Sequence, residues 1–196
     1  MTASPGFEGH EDPVRPEILA AFARAWAEIA RPGTWWDGLS RLAIAGAARA
    51  ARSGDVIERG SLPQTAVEAA SLVAARPAAP SEAWVSLICD ELAELRYVEL
   101  VGIVARVMAV DTFHRLAGWP LVALPEPVPG PPTGEPPPAN LRRHRTWVAM
   151  AVPVPPSVLG AVPAAMRAVN ELSDVLYMPP EQMADPDWRR GDLHRA

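Results

Sequence analysis

Five side chains in this sequence have the types and spacing to do chemistry. Glu99 and Arg106 stand two helical turns apart, and Asp111 and His114 stand one turn apart in the same stretch. If that stretch is helical, each pair shares a face. Two carboxylates, an imidazole and a guanidinium would supply acid–base groups or the charged lining of a pocket. The competing reading of Glu99 and Arg106 is a buried ion pair that fixes helix packing. The fifth side chain is Cys89. With His114 and Asp111 it would sketch a nucleophilic triad. It lies, however, in the apolar run Leu87-Ile88-Cys89, where a free thiol is ordinarily an inert core group. It is also the single cysteine of the chain, so no second thiol can resolve an oxidised one.

Other cofactor chemistry is not signalled. His10, His114, His144 and His194 are scattered without ligand spacing, so neither a metal nor another cofactor is expected. No glycine-rich phosphate loop of the nucleotide-binding types occurs. The net charge is −5 and every cation is an arginine. Arg142, Arg143, His144 and Arg145 form a basic patch too short to outweigh that balance, so nucleic acid is not an expected partner. Hydrophobic residues make up 49% of the 196, enough for a sizeable core. No apolar run reaches the roughly 18 residues of a membrane span. The longest, Leu100 to Val110, is interrupted by Arg106. Residues 1–16 carry acids, prolines and glycines without an apolar core, so a signal peptide is not expected and the cytoplasm is the expected location.

The elements that must hold these side chains read as helices. Residues 1–16 form a flexible lead, and Pro16 suits a first helical turn, where its missing N–H costs nothing. Ile18, Phe22, Trp26 and Ile29 then recur at helical spacing until Pro32-Gly33 stops them. Asp37 is a plausible cap for a second helix that reaches about Arg52, where Ser53-Gly54-Asp55 breaks it. A third spans Gln64 to Ala75. Ser81 caps a fourth, with Trp84, Leu87, Ile88 and Leu92 inward. The fifth and longest runs from about Leu95 to Ala117 and is apolar nearly all round, as a central helix must be.

Prolines then dominate residues 120–138, which predicts an extended arm and not a helix. The arm lies over its own bundle or a partner subunit, or serves as a ligand for a polyproline-reading domain. Trp147 to Val154 reads as a short extended piece. Helix resumes from about Ser157 to Leu176, and residues 186–196 begin another turn. Trp119 and Trp147 flank the arm, and some of the seven tryptophans suit a subunit interface. With no β–α alternation, the class is all-α. The organisation is a lead (1–16), a helical domain (17–119), an extended arm (120–156) and a C-terminal helical segment (157–196).

The run from Arg96-Tyr97-Val98-Glu99-Leu100-Val101 to Asp111-Thr112-Phe113 resembles the long core helix of the alkylhydroperoxidase D and carboxymuconolactone decarboxylase family. Leu124-Pro125-Glu126-Pro127 and Pro129-Gly130 resemble the proline-rich tail of its peroxidase-related members, and Leu39 to Ala45 resembles the helix leading to their active site. The likeness covers residues 35–147. It implies a helical bundle that forms homo-oligomers. Peroxidases of this family use a Cys-x-x-Cys pair and a following His, with a Glu one helix earlier. The Glu slot falls near Ser40 and the thiol slots near Gly54 and Ile57, and no His lies between Asp37 and Pro80. Thiol peroxidase activity is therefore not expected.

Residues 164–196 faintly echo residues 18–41, as a truncated or degenerate second repeat would, or by coincidence of two amphipathic helices. Two functions stand open. One is a structural, oligomeric protein without a redox centre. The other is an enzyme or small-molecule binding protein of the decarboxylase-like type, with Glu99, Arg106, Asp111 and His114 in place of the cysteines.

Overall fold

A computed structural model describes residues 6, 14–143, 146–151 and 158–177. Among these, six α-helices carry the fold: α1 (Pro16–Ile29), α2 (Gly38–Ser53), α3 (Gln64–Ala75), α4 (Glu82–Leu92), α5 (Glu94–Leu116) and α6 (Pro163–Leu176). A two-residue ribbon, β1 (Leu141–Arg142) against β2 (Met150–Ala151), is the only sheet among the described residues. The protein is thus all-α with a minor antiparallel ribbon. No described helix is long and apolar enough to cross a membrane.

Local chemistry sets the helix ends. Asp37 accepts the Ser40 N–H at 2.7 Å and Ser81 accepts the Trp84 N–H at 3.2 Å, so both caps close an open first turn. Gly54, in the left-handed region at φ 79°, ends α2 and donates to the Ala50 carbonyl. The expectation of one helix to Leu176 from about Ser157 needs correction. A 3-10 turn (Val158–Ala161) comes first, Val162 is extended, and α6 begins at Pro163. The proline ring drives its predecessor out of the α region while suiting its own first-turn place. The helical turn expected at 186–196 and the echoed repeat's later part lie outside the described residues.

α5 is the hub, packed against α1, α2, α3, α4 and α6. Leu100, Ile103, Val104, Val107 and Val110 are all but sealed from water. Each such side chain contributes about 1.5–3 kcal/mol of burial. Phe22 of α1 meets Phe113 of α5 edge to face at 4.7 Å. Into this apolar packing the sequence sets Arg41, Glu99, Arg106, Asp111 and His114, all of them buried.

Residues 120–138 run extended over their own bundle. The Pro120, Val122 and Ala123 carbonyls accept from His114, Arg49 and Trp26. Further on, Val128, Thr133 and Gly134 donate backbone N–H groups to Ala30, Gly33 and Thr34 in the α1–α2 loop. That loop is thereby pressed between the arm and α5.

Candidate functional site

Glu99 points from α5 into the α1–α2 loop. Its Oε2 accepts the Trp35 N–H at 2.6 Å, and the Thr34 and Trp36 amides face the same carboxylate. Arg41, on α2, approaches Oε1 at 3.3 Å. The loop can lie this close because residue 33 is glycine. A Cβ there would fall 1.9 Å from Glu99 Oε1 and 2.1 Å from Arg41 Nη1. Burial raises the Glu99 pKa above the ordinary carboxylate range, against the opposing pull of the amides and Arg41. Burial lowers the Arg41 pKa, with Glu99 opposing.

Arg106 does not pair with Glu99, despite the shared face that their spacing predicts. Its Nη1 reaches Glu28, in the last turn of α1, and its Nε donates to the Gly102 carbonyl one turn back. Glu28 also receives Arg41 Nη2, at 2.9 Å to Oε2 and 3.1 Å to Oε1. One carboxylate from α1 thus bridges two buried guanidinia from α2 and α5. Burial brings Arg106 down to about 10, and Glu171 of α6 works in the other direction.

Asp111 and His114, farther along α5, are held separately. Both Asp111 oxygens take Arg49 of α2. That same guanidinium donates to the Val122 carbonyl and stacks 5.0 Å over Trp26. His114 Nδ1 lies 2.8 Å from the Pro120 carbonyl, which can only accept, so Nδ1 carries a proton. The charges that act on Cys89, at the end of α4, are those of Glu94, Arg143 and Asp90. Burial and Glu94 push its thiol up to about 11. A thiol so placed is a poor nucleophile at neutral pH.

The four residues named from the sequence are therefore all interior, on one helix, in two separate knots. The open clefts lie elsewhere. An apolar one of about 310 Å³ is lined by Val85, Tyr97, Val98, Val101, Trp147 and Val148. A broader one of about 760 Å³ at the α4–α5 corner includes Trp35, Cys89, Glu94 and Arg96. None of the four candidates lines either. Among the described residues, no three His, Cys, Asp or Glu side chains converge as metal ligands.

Sequence reasoning missed Glu28, Arg41 and Arg49. A signal existed for the arginines. Both interrupt the apolar side of α2, eight positions apart, among Leu42, Ala45 and Ala48. A cation set in a core-facing stripe demands an anion from another element. The thiol slots inferred near Gly54 and Ile57 do not share a helical turn, since α2 ends at Ser53. The chain matches no family model, no curated protein and no solved structure.

Proposed function

We propose that this chain is a helical scaffold protein, built on an alkylhydroperoxidase D-like core helix but without thiol peroxidase chemistry. One observation carries the reading. Glu99, Arg106, Asp111 and His114 are each sealed from solvent and bonded across elements. A general acid or base must exchange protons with a substrate within hydrogen-bond reach, and interior knots of this kind serve packing instead. The single, raised thiol of Cys89 fits the same account. Self-assembly belongs to the proposal. Leu87, expected to point inward from the fourth helix, is instead 64% exposed, and Leu116 and Trp147 are 85% and 47% exposed; a contact between copies would cover such groups.

The test is peroxide consumption by the full chain with a dithiol reductant. The expected rate matches the protein-free control. Turnover that persists in Cys89→Ser would overturn the account of the missing sulfurs, and turnover abolished by Cys89→Ser would overturn the inert-thiol assignment. Sedimentation across a concentration series tests assembly, and a monomer throughout would remove the oligomeric part.

A further inference from the structure

We propose that the edge of Arg41, together with the buried guanidinium of Arg106, forms a binding site for a small carboxylate anion, and that Glu28 fills it from within the chain.

The molecule supplies its own standard for comparison. Arg49 takes Asp111 side-on, with Nε on one oxygen at 2.9 Å and Nη2 on the other at 2.6 Å. That fork is the arrangement in which a guanidinium matches a carboxylate. Arg41 presents the same edge, but fills half of it. Its Nη2 holds Glu28, while its buried Nε meets no acceptor among the described residues. An unpaired donor on a cation that is 2% exposed is a substantial cost, and an anion that reached both nitrogens would remove it.

The present occupant is also the most exposed member of the cluster. The Glu28 side chain is 40% exposed, whereas those of Arg41 and Arg106 are 3% and 2% exposed. It sits in the last turn of α1, where the helix dipole disfavours negative charge, so the two arginines alone hold it there. Rotation of Glu28 into solvent leaves two buried cations facing one point. Glu99 lies against one of them, at Arg41 Nη1, and Glu171 of α6 acts on the other. A planar anion of formate or acetate size would bridge Arg41 Nε and Nη2 and face Arg106. No bond is made or broken; the step is an exchange of one carboxylate for another. The inference goes beyond the scaffold reading, and its fate is independent of the peroxide result.

The test uses the full chain and the arginine Nε–H resonances in nuclear magnetic resonance. The Arg41 signal is assigned by its loss in Arg41→Lys. Sodium acetate is titrated against sodium chloride at equal ionic strength. The expected result is a saturable shift of the Arg41 signal with acetate alone. In Glu28→Ala the half-saturating concentration should fall by at least about tenfold, because the internal competitor is gone. If Glu28→Ala does not fold, Glu28→Gln takes its place, removing the charge while keeping the bulk. An unmoved signal in the wild type and the variant, an equal response to chloride, or an unchanged midpoint would overturn the proposal. A lower midpoint for inorganic phosphate than for acetate would overturn the carboxylate assignment.

Discussion

Arg49 grips Asp111 by both carboxylate oxygens, and with its remaining nitrogen it holds the Val122 carbonyl of the arm. One side chain therefore ties α2, α5 and the proline-rich segment together. The carboxylate is buried to 1% and the guanidinium to 18% side-chain exposure. Removing either partner leaves an uncompensated charge in a region of low dielectric, which costs more than the pair itself is worth.

Asp111→Ala should accordingly lower the unfolding free energy by about 3 kcal/mol. Urea denaturation followed by far-ultraviolet circular dichroism measures this. A double variant with Arg49→Met should recover part of the loss, since it removes the stranded charge. A fully additive double variant would show that the two side chains do not act as a pair.

The helices were largely legible in the sequence because their signals are local. Pro16, Asp37, Gly54 and Ser81 act within one turn of where they stand, and each ends or begins a helix as its chemistry requires. The bonding of the buried charges was not legible, because it is not local. Arg41 meets Glu99 across 58 positions, Arg49 meets Asp111 across 62 and Arg106 meets Glu28 across 78. The heptad spacing of Glu99 and Arg106 placed them on one face, but on a helix surrounded by five others each found a partner on a different neighbour. The clefts at Cys89 and beside Trp147 were equally invisible, since their walls come from the α4–α5 corner and from residues near the ribbon.

Cys89 should alkylate slowly. Its thiol is pushed from 9.0 up to about 11, first by burial and then by Glu94. At pH 8 that leaves about 100-fold less thiolate than an ordinary cysteine carries. The iodoacetamide rate, followed by intact-protein mass spectrometry, should keep rising with pH past 10, well above the usual plateau. Glu94→Gln should speed the reaction. A plateau near pH 9 would show that the sulfur lies in an ordinary solvated setting.

Ala93 joins α4 to α5 at φ 68° and ψ 141°, a conformation that essentially only glycine adopts without strain. Ala93→Gly should therefore raise stability by about 1 kcal/mol, in spite of the extra chain entropy that glycine brings to the unfolded state. Gly33 gives the opposite case, because a methyl group there would collide with both Glu99 and Arg41. Gly33→Ala should lower the melting temperature, because the buried ends of Glu99 and Arg41 must shift to admit the methyl group. Thermal melts of the two variants beside the wild type would read both, and equal melting temperatures for all three would contradict the backbone and packing geometry of the α1–α2 loop and the α4–α5 corner.

The Glu99 carboxyl should make stability fall as pH rises. Its folded pKa lies above its unfolded one, because burial outweighs the loop amides and Arg41. The native state thus binds a proton more tightly than the unfolded chain does. The contribution is complete below the unfolded glutamate pKa, and it is lost as pH climbs through the raised folded value. The measurement must isolate Glu99 from the other ionisable groups of the chain. The difference in unfolding free energy between wild type and Glu99→Gln, taken by urea titration at a series of pH values, does so. That difference should be most favourable to the wild type at acid pH and should shrink towards neutrality. A difference that grows with pH would mean that the Arg41 contact and the three amides prevail over desolvation, and that the carboxylate is held ionised at the centre of the fold.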